Sequence, residues 1–147
     1  MTMGVFGKLI NSKQKGDDTS NEDYIKTVIS SSENEPLALS NNSIMYVGYN
    51  ELGGYYYLQT FIVGRLKVKT KNGATLDIEG NNYNLKLNSD MPELESEPAH
   101  PLEGYVTKID FQIEKNDVEK IKRSNIKTLT LFVKKETHVF LIYKKEE

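Results

Sequence analysis

In the middle of the chain, apolar and polar residues alternate with a period of two, which predicts β-strands with one buried and one solvated face. Leu66 and Val68 belong to one such run, and Leu76 and Ile78 belong to the next. A three-residue loop ending at Gly73, where a left-handed conformation suits glycine, would place Val68 opposite Leu76 and Leu66 opposite Ile78. We therefore expect these two runs to pair as an antiparallel hairpin.

The same register makes a prediction about the charged residues on the solvated face. Arg65 would lie opposite Glu79, and Lys67 would lie opposite Asp77. Such pairs would neutralise much of the positive charge in this region. They argue against a nucleic-acid partner, because a nucleic-acid face needs positive charge and stacking rings on one surface.

A second hairpin is predicted directly afterwards. Tyr83 would lie opposite Ile78, with Gly80-Asn81 as the two-residue loop between the strands. A slip by one residue would turn every apolar side chain toward water, so the alternation excludes such registers. The two hairpins together predict an antiparallel meander of three strands.

Further strands follow on both sides of the meander. Residues 55–63 have apolar or aromatic side chains on both alternating faces, which is typical of a central strand that is covered on both sides. Residues 140–142 have the same character, so we expect the last strand to lie inside the sheet. The strand that follows the proline-rich connection has an alternating set of residues predicted to point inward: Tyr105, Thr107, Ile109, Phe111 and Ile113.

Two kinds of helix are predicted. Asn116 and Glu119 have the spacing of a capping box, with Asn116 as the N-cap of a short helix. Near the N-terminus, Ser20 or Asn21 would cap a second short helix after a polar stretch, residues 11–21, that we expect to be flexible. The side chains that would share one face of this second helix are Tyr24, Ile25, Val28 and Ile29.

These patterns predict a mainly β fold with about eight antiparallel strands and two or three short helices. Such a domain is either a β-sandwich or a partly open barrel. We expect residues 1–43 to form an N-terminal arm with short helices and a flexible polar segment, and residues 44–147 to form the β domain.

Composition restricts the chemistry that this chain can perform. The chain of 147 residues has a net charge of −2 and no cysteine, which excludes thiolate nucleophiles and cysteine-based metal sites. Neither His100 nor His138 belongs to a ligand set with the spacing of a metal site. We therefore expect no cofactor, no metal and no catalytic site. No signal peptide or transmembrane segment is visible in the sequence, which favours a cytoplasmic location. We also expect a bacterial or phage origin.

Two surfaces are candidates for binding a partner. The first is an apolar stripe in the N-terminal arm, formed by Val5, Phe6, Leu9 and Ile10. This stripe has three interpretations: it packs on its own domain, it docks on a protein partner or a second copy, or it lies on a membrane surface. The second is an aromatic cluster that consists of Tyr46, Tyr49, Tyr55, Tyr56 and Tyr57.

Three hypotheses about function follow. The first is a non-enzymatic protein–protein interaction or structural module that uses the arm or the tyrosine cluster. The alternative is a small-ligand binder that uses the interior or mouth of the β fold, lined by residues such as Tyr57 and Phe61. An enzyme whose site is assembled from distant positions is the third hypothesis and has the least support.

Overall fold

The fold was analysed in a computed structural model, which describes the backbone of residues 12–144 and the side chains of residues 21–144. The stripe of Val5, Phe6, Leu9 and Ile10 lies outside the described residues. The helices are α1 (Ser12–Ser31), α2 (Asp117–Lys120) and a 3-10 turn at Arg123–Asn125. The strands are β1 (Ala38–Leu39), β2 (Ser43–Leu52), β3 (Tyr55–Gly64), β4 (Lys69–Thr70), β5 (Ala74–Gly80), β6 (Asn84–Asn88), β7 (Leu94–Glu95), β8 (Glu97–Pro98), β9 (Tyr105–Ile113), β10 (Ile126–Val133) and β11 (Glu136–Ile142).

The described strands form one antiparallel sheet of nine strands and a separate pair. The order in the large sheet is β6-β5-β10-β11-β1-β2-β3-β9-β8, and β4 pairs with β7. The sheet curls until β6 approaches β9, where a single bridge joins Ser89 to Phe111. The fold is therefore a curled, partly open barrel, and the prediction of a mainly β fold is confirmed.

The inner face of this sheet encloses the main hydrophobic core. Strands from both halves of the chain contribute to it, including Met45, Leu76, Phe111 and Phe140, all of which are completely buried. The predicted inward set on β9 is confirmed for Thr107, Ile109, Phe111 and Ile113, which are buried, whereas Tyr105 at the start of the strand is partly exposed. The prediction that β11 lies inside the sheet is also confirmed, because it pairs with β10 and β1.

A smaller core lies on the outer face of the sheet, beneath helix α1. Val28 of the helix packs on Ile44 and Tyr46 of β2 in this cluster. The predicted apolar face of the helix is confirmed, because Tyr24, Ile25 and Ile29 join the same cluster.

The predicted start of this helix is wrong. The helix begins at Ser12 and includes most of the polar stretch that we expected to be flexible, so neither Ser20 nor Asn21 is an N-cap. Once the apolar half is fixed on the sheet, each additional helical residue gains a hydrogen bond without a new nucleation cost. The polar character of residues 12–21 therefore did not prevent them from being helical.

The predicted pairing of the first hairpin is also wrong. Leu66 and Val68 are buried as expected, but they do not lie opposite Ile78 and Leu76. The two edges of β5 are occupied by β6 and by β10, a strand about fifty residues further along the chain. Residues 65–68 instead pass into β4, which pairs with β7.

The charged residues of this region consequently have other partners. Arg65 contacts Glu103 at 3.2 Å and does not pair with Glu79, while Lys69 reaches Glu95 at 4.0 Å. The predicted Lys67–Asp77 pair is absent from the described residues, because Asp77 lies opposite Lys86 on β6. Both observed partners, Glu95 and Glu103, belong to the acidic connection that follows residue 90.

The second hairpin has the expected faces but a register that differs by two residues. Ile78 lies opposite Leu85 rather than Tyr83, and the N–H of Gly80 donates to the Tyr83 carbonyl at 2.9 Å. The loop is therefore Asn81-Asn82 rather than Gly80-Asn81. A shift of two residues preserves the alternation, so the pattern of faces could not distinguish these registers.

The predicted capping box at α2 does not form. Asn116 makes no side-chain capping hydrogen bond, and the carboxylate of Asp117 accepts a hydrogen bond from the Glu114 N–H at 3.3 Å. The negative charge thus lies in the first turn of a very short helix.

Candidate functional site

The β2–β3 hairpin is the element that positions the candidate site. It pairs continuously from Ser43 opposite Gly64 to Leu52 opposite Tyr55. Gly53 and Gly54, with φ of 60° and 86°, form the two-residue turn, and positive φ at both positions is typical of a type I′ hairpin. The turn and the ladder therefore fix the register of every tyrosine on this hairpin.

The five tyrosines of the predicted cluster do not form one surface. Side chains alternate along each strand, so Tyr46, Tyr55 and Tyr57 lie on the outer face of the sheet, while Tyr49 and Tyr56 lie on the inner face. Sequence proximity along two paired strands was the reason for grouping them, and the pleat separates them.

The inner tyrosine Tyr49 supports the short helical segment that precedes β10. Its hydroxyl donates to the carbonyl of Ile121, and the hydroxyl of Tyr83 donates to the neighbouring Lys120 carbonyl at 2.5 Å. Burial raises the pKa of both phenols, and the charge of Asp117 contributes further at Tyr83. These two phenols therefore anchor the end of α2.

Tyr46 occupies the base of the hairpin, under helix α1. It is only 9% exposed, and its hydroxyl has no hydrogen-bond partner among the described residues. Burial raises the pKa of Tyr46, and the Ser32 hydroxyl beside it partly opposes this rise. The two hydroxyl groups do not have hydrogen-bond geometry. An unpaired buried hydroxyl costs about 1–3 kcal/mol, which is unusual enough to require an explanation.

The tip of the hairpin exposes large apolar side chains. Leu52 and Tyr55 are directly opposite each other on the outer face and are 68% and 57% exposed. Tyr49, on the inner face close to the tip, is also exposed in part. A second exposed group lies away from the hairpin, on β10 and β11, and consists of Phe132, Val139 and Leu141.

Among the residues that the structure describes, no strand pairs with one edge of β2 over more than half of its length. The two residues of β1 pair with Met45 and Ile44 and the strand then ends. The outer edge of β2 is the edge that faces β1 and lies opposite the edge paired with β3. Beyond Met45, no strand and no backbone hydrogen bond within residues 12–144 reaches this outer edge. The sequence held no signal for this edge, because it results from the shortness of β1.

The direction of the unpaired groups follows from one hydrogen bond. The Leu37 N–H donates to the Met45 carbonyl at 2.8 Å, so the backbone groups of Met45 face the side of β1. Backbone groups alternate between the two edges of an antiparallel strand. The N–H and C=O groups of Val47, Tyr49 and Glu51 therefore face the unpaired edge.

The small-ligand prediction also needs a correction. Tyr57 and Phe61 were expected to line the interior, but the register places both on the outer face. The interior is filled by the packed core. Phe61 instead lines a groove on the outside, with Tyr46 and His100.

The remaining candidates for metal ligands are the histidine and carboxylate side chains of the described part of the chain. Among the described residues, no group of three or more histidine, aspartate and glutamate side chains is placed to hold a metal ion. His138 lies next to Glu136 at 3.1 Å, at the start of β11. Within residues 12–144, no helix has the length and apolar character needed to cross a membrane.

Comparison with protein-family models, with curated protein sequences and with solved structures finds no match to this chain.

Proposed function

We propose that this chain is a non-enzymatic interaction module that binds an extended segment of a partner protein along the outer edge of β2. The observation that carries the proposal is the row of backbone groups at Val47, Tyr49 and Glu51 that have no backbone partner within residues 12–144. An extended peptide supplies complementary N–H and C=O groups, which is the physical basis of binding by strand addition.

The side chains around this edge suit such a partner. Leu52 and Tyr55 offer exposed apolar area at the tip, and tyrosine provides rigid contact surface at low entropic cost. Edge strands commonly carry proline, lysine or a bulge that prevents pairing. Residues 47–52 have no proline and no lysine, and their ladder to β3 has no register shift. Three of the usual protections, namely proline, lysine and a bulge, are therefore absent from residues 47–52.

A proline substitution at the edge tests the proposal. Glu51→Pro removes an N–H that faces the partner and leaves the β2–β3 ladder intact, because proline is tolerated at edge positions whose N–H is not paired within the sheet. Glu51→Thr is the matched control, since it removes the same charge and keeps the N–H. Peptides selected from a random peptide library on the full chain provide the binding probe.

The expected result is a set of selected peptides that bind wild type and Glu51→Thr equally and bind Glu51→Pro at least tenfold more weakly. Bound peptide should also slow hydrogen exchange at the amides of Tyr49 and Glu51. If the selected peptides bind all three proteins alike, the partner does not use this edge and the proposal fails.

Other parts of the hypothesis remain predictions. The stripe of Val5, Phe6, Leu9 and Ile10 is a separate candidate for partner or membrane contact. Light scattering and peptide binding with and without residues 1–11 would show its role, and unchanged results would remove it from the proposal. A cytoplasmic location and a bacterial or phage origin are likewise proposals.

A further inference from the structure

A groove lies at the base of the β2–β3 hairpin, between helix α1 and the outer face of the sheet. Val28 of the helix forms one wall, Phe61 and Val63 of β3 form the floor, and Pro98 and Leu102 of the acidic connection form the other wall. The groove has a volume of about 650 Å³. This size falls in the range of small-molecule sites in proteins.

The lining is neutral. Its floor is aliphatic and aromatic, while its rim has hydroxyl, amide and imidazole groups. None of the described side chains that line it is a carboxylate, a lysine or an arginine. A charged ligand would lose its hydration without gaining an opposite charge, so this groove favours an uncharged ligand.

The groove also offers one hydrogen-bond donor that is not in use. Tyr46 lines the groove and is nine-tenths buried, and the proton of its hydroxyl has no acceptor among the described residues. The neighbouring hydroxyls have other partners, since Ser31 donates to the Val28 carbonyl at 2.7 Å and Ser32 accepts from the Asn34 N–H at 3.1 Å, and neither has hydrogen-bond geometry with Tyr46. Tyr46 is therefore the group that most requires a partner.

Access to this hydroxyl runs past the rim. Ser31 and Asn34 are exposed and Ser32 is partly exposed, so these small side chains can move aside without disturbing the core. The hydroxyl itself is buried, so a ligand that lies along Phe61 reaches it by displacing the Ser32 side chain beside it.

We infer that this groove binds an uncharged organic molecule whose ring or short chain packs on Phe61 and Val63 and whose carbonyl, ether or hydroxyl oxygen accepts a hydrogen bond from Tyr46. The site is independent of the β2 edge, because Val47, Tyr49 and Glu51 do not line the groove. A small ligand would therefore bind on the outer face of the barrel and not in its interior.

A matched pair of probes tests the inference. Acetophenone and ethylbenzene have similar shapes, but only acetophenone has an acceptor oxygen. Methyl-detected NMR titrations of the full chain would follow Val28, Val63 and Val106, which line the groove. In wild type we expect acetophenone to bind about five- to tenfold more tightly than ethylbenzene, the value of one neutral hydrogen bond.

Substitutions then separate the hydrogen bond from the cavity. Tyr46→Phe should reduce the preference for acetophenone to about onefold, whereas Tyr57→Phe, on the same outer face but outside the groove, should leave it unchanged. Ala99→Trp should fill the groove and abolish binding of both probes. Unchanged methyl shifts of Leu76 in the core would show that each variant is folded.

Three results would overturn the inference. The first is the absence of shifts at the groove methyls with millimolar probe. The second is an undiminished preference for acetophenone in Tyr46→Phe. The third is undiminished binding in Ala99→Trp. Failure here would leave the edge proposal standing, because Glu51→Pro and the peptide probes address different residues.

Discussion

The ring of Tyr83 lies over Gly80, in the space that a side chain on residue 80 would occupy. A Cβ atom at that position would collide with the ring carbons, so the glycine is required by packing and not by an unusual φ. The same ring places its hydroxyl on the Lys120 carbonyl. One close approach thus connects the β5–β6 turn to helix α2.

Replacement of this glycine should therefore be costly. We expect Gly80→Ala to displace the Tyr83 ring and to lower the free energy of unfolding by about 2–3 kcal/mol, from overpacking and the lost hydrogen bond. Urea denaturation monitored by circular dichroism measures this difference. Gly48→Ala is the control, since a Cβ there has only an ordinary contact with Gln59, and its effect should be within about 1 kcal/mol. Equal effects of the two substitutions would contradict this interpretation.

A second prediction concerns the attachment of helix α1. The Tyr24 hydroxyl donates to the Glu103 carbonyl at 2.6 Å, and the Arg65 guanidinium stacks on the Tyr24 ring at 4.1 Å. A Cβ on Gly104 would collide with this hydroxyl and with the carbonyl oxygen of Gly64, and the residue also has a φ of 99°. We expect Gly104→Ala to destabilise the protein by about 2–3 kcal/mol and to accelerate hydrogen exchange in the helix.

Gly53→Ala is the control for backbone strain in this experiment. Its φ of 60° is also positive, but nothing lies within 4 Å of a Cβ there. It should cost only about 1 kcal/mol and should leave exchange in the helix unchanged. If both alanine variants behave alike, collision with Tyr24 does not contribute.

A third prediction concerns a buried chain of hydrogen bonds beside β9. The Ser96 hydroxyl accepts from the Val68 N–H at 2.7 Å and lies 2.6 Å from the Thr107 hydroxyl. Ser96→Ala should cost about 1–3 kcal/mol, because it leaves a buried N–H unpaired. Thr107→Val should cost less, and the double variant should lose less than the sum, since both act on one network. Additive losses in a double-mutant cycle of urea midpoints would argue against this coupling.

Stability should fall at alkaline pH. Burial raises the pKa of Tyr49 and Tyr83 above the ordinary value of 10.0. Between that value and the raised one, the folded state holds protons that the unfolded state has released. The contribution is therefore complete below pH 10 and is lost as the pH rises through the folded pKa values.

The measurement is the urea midpoint at pH 9, 10 and 11. We expect a decline above pH 10 in wild type and a shallower decline in the double variant Tyr49→Phe/Tyr83→Phe. Tyr55→Phe is the control, since that side chain is exposed at the hairpin tip. Identical slopes in all three proteins would show that ionisation of Tyr49 and Tyr83 does not drive the loss.

The sequence predicted which side chains face the core better than which strands are neighbours. Val68, Leu76 and Ile109 are buried as their alternation indicated. Alternation depends only on local geometry, whereas a partner such as β10 for β5 depends on contacts between distant parts of the chain. Charge complementarity supported the wrong hairpin, because exposed pairs are weak and do not choose a register.

The candidate site was predicted less well than the fold. Tyr46 and Tyr55 do lie at the groove and at the exposed tip, but the grouping of all five tyrosines failed because the pleat divides them between two faces. The unpaired edge and the groove had no local signal. Both depend on where β1 ends and where helix α1 lies, which are properties of the assembled sheet.

Strand β1 has a consequence for the order of assembly. Apart from the bridge between Ser89 and Phe111, it is the only described element that joins the group β2, β3, β9 and β8 to the group β6, β5, β10 and β11. It does so by pairing with β2 on one side and β11 on the other. During synthesis, β1 and β2 are therefore made before β11, and β1 cannot pair with β11 until that strand has been made. Until about a hundred further residues have been made, the two groups of strands cannot join into a single sheet. The pairing of the two-residue strand β1 with β11 is thus the last strand pairing that can form.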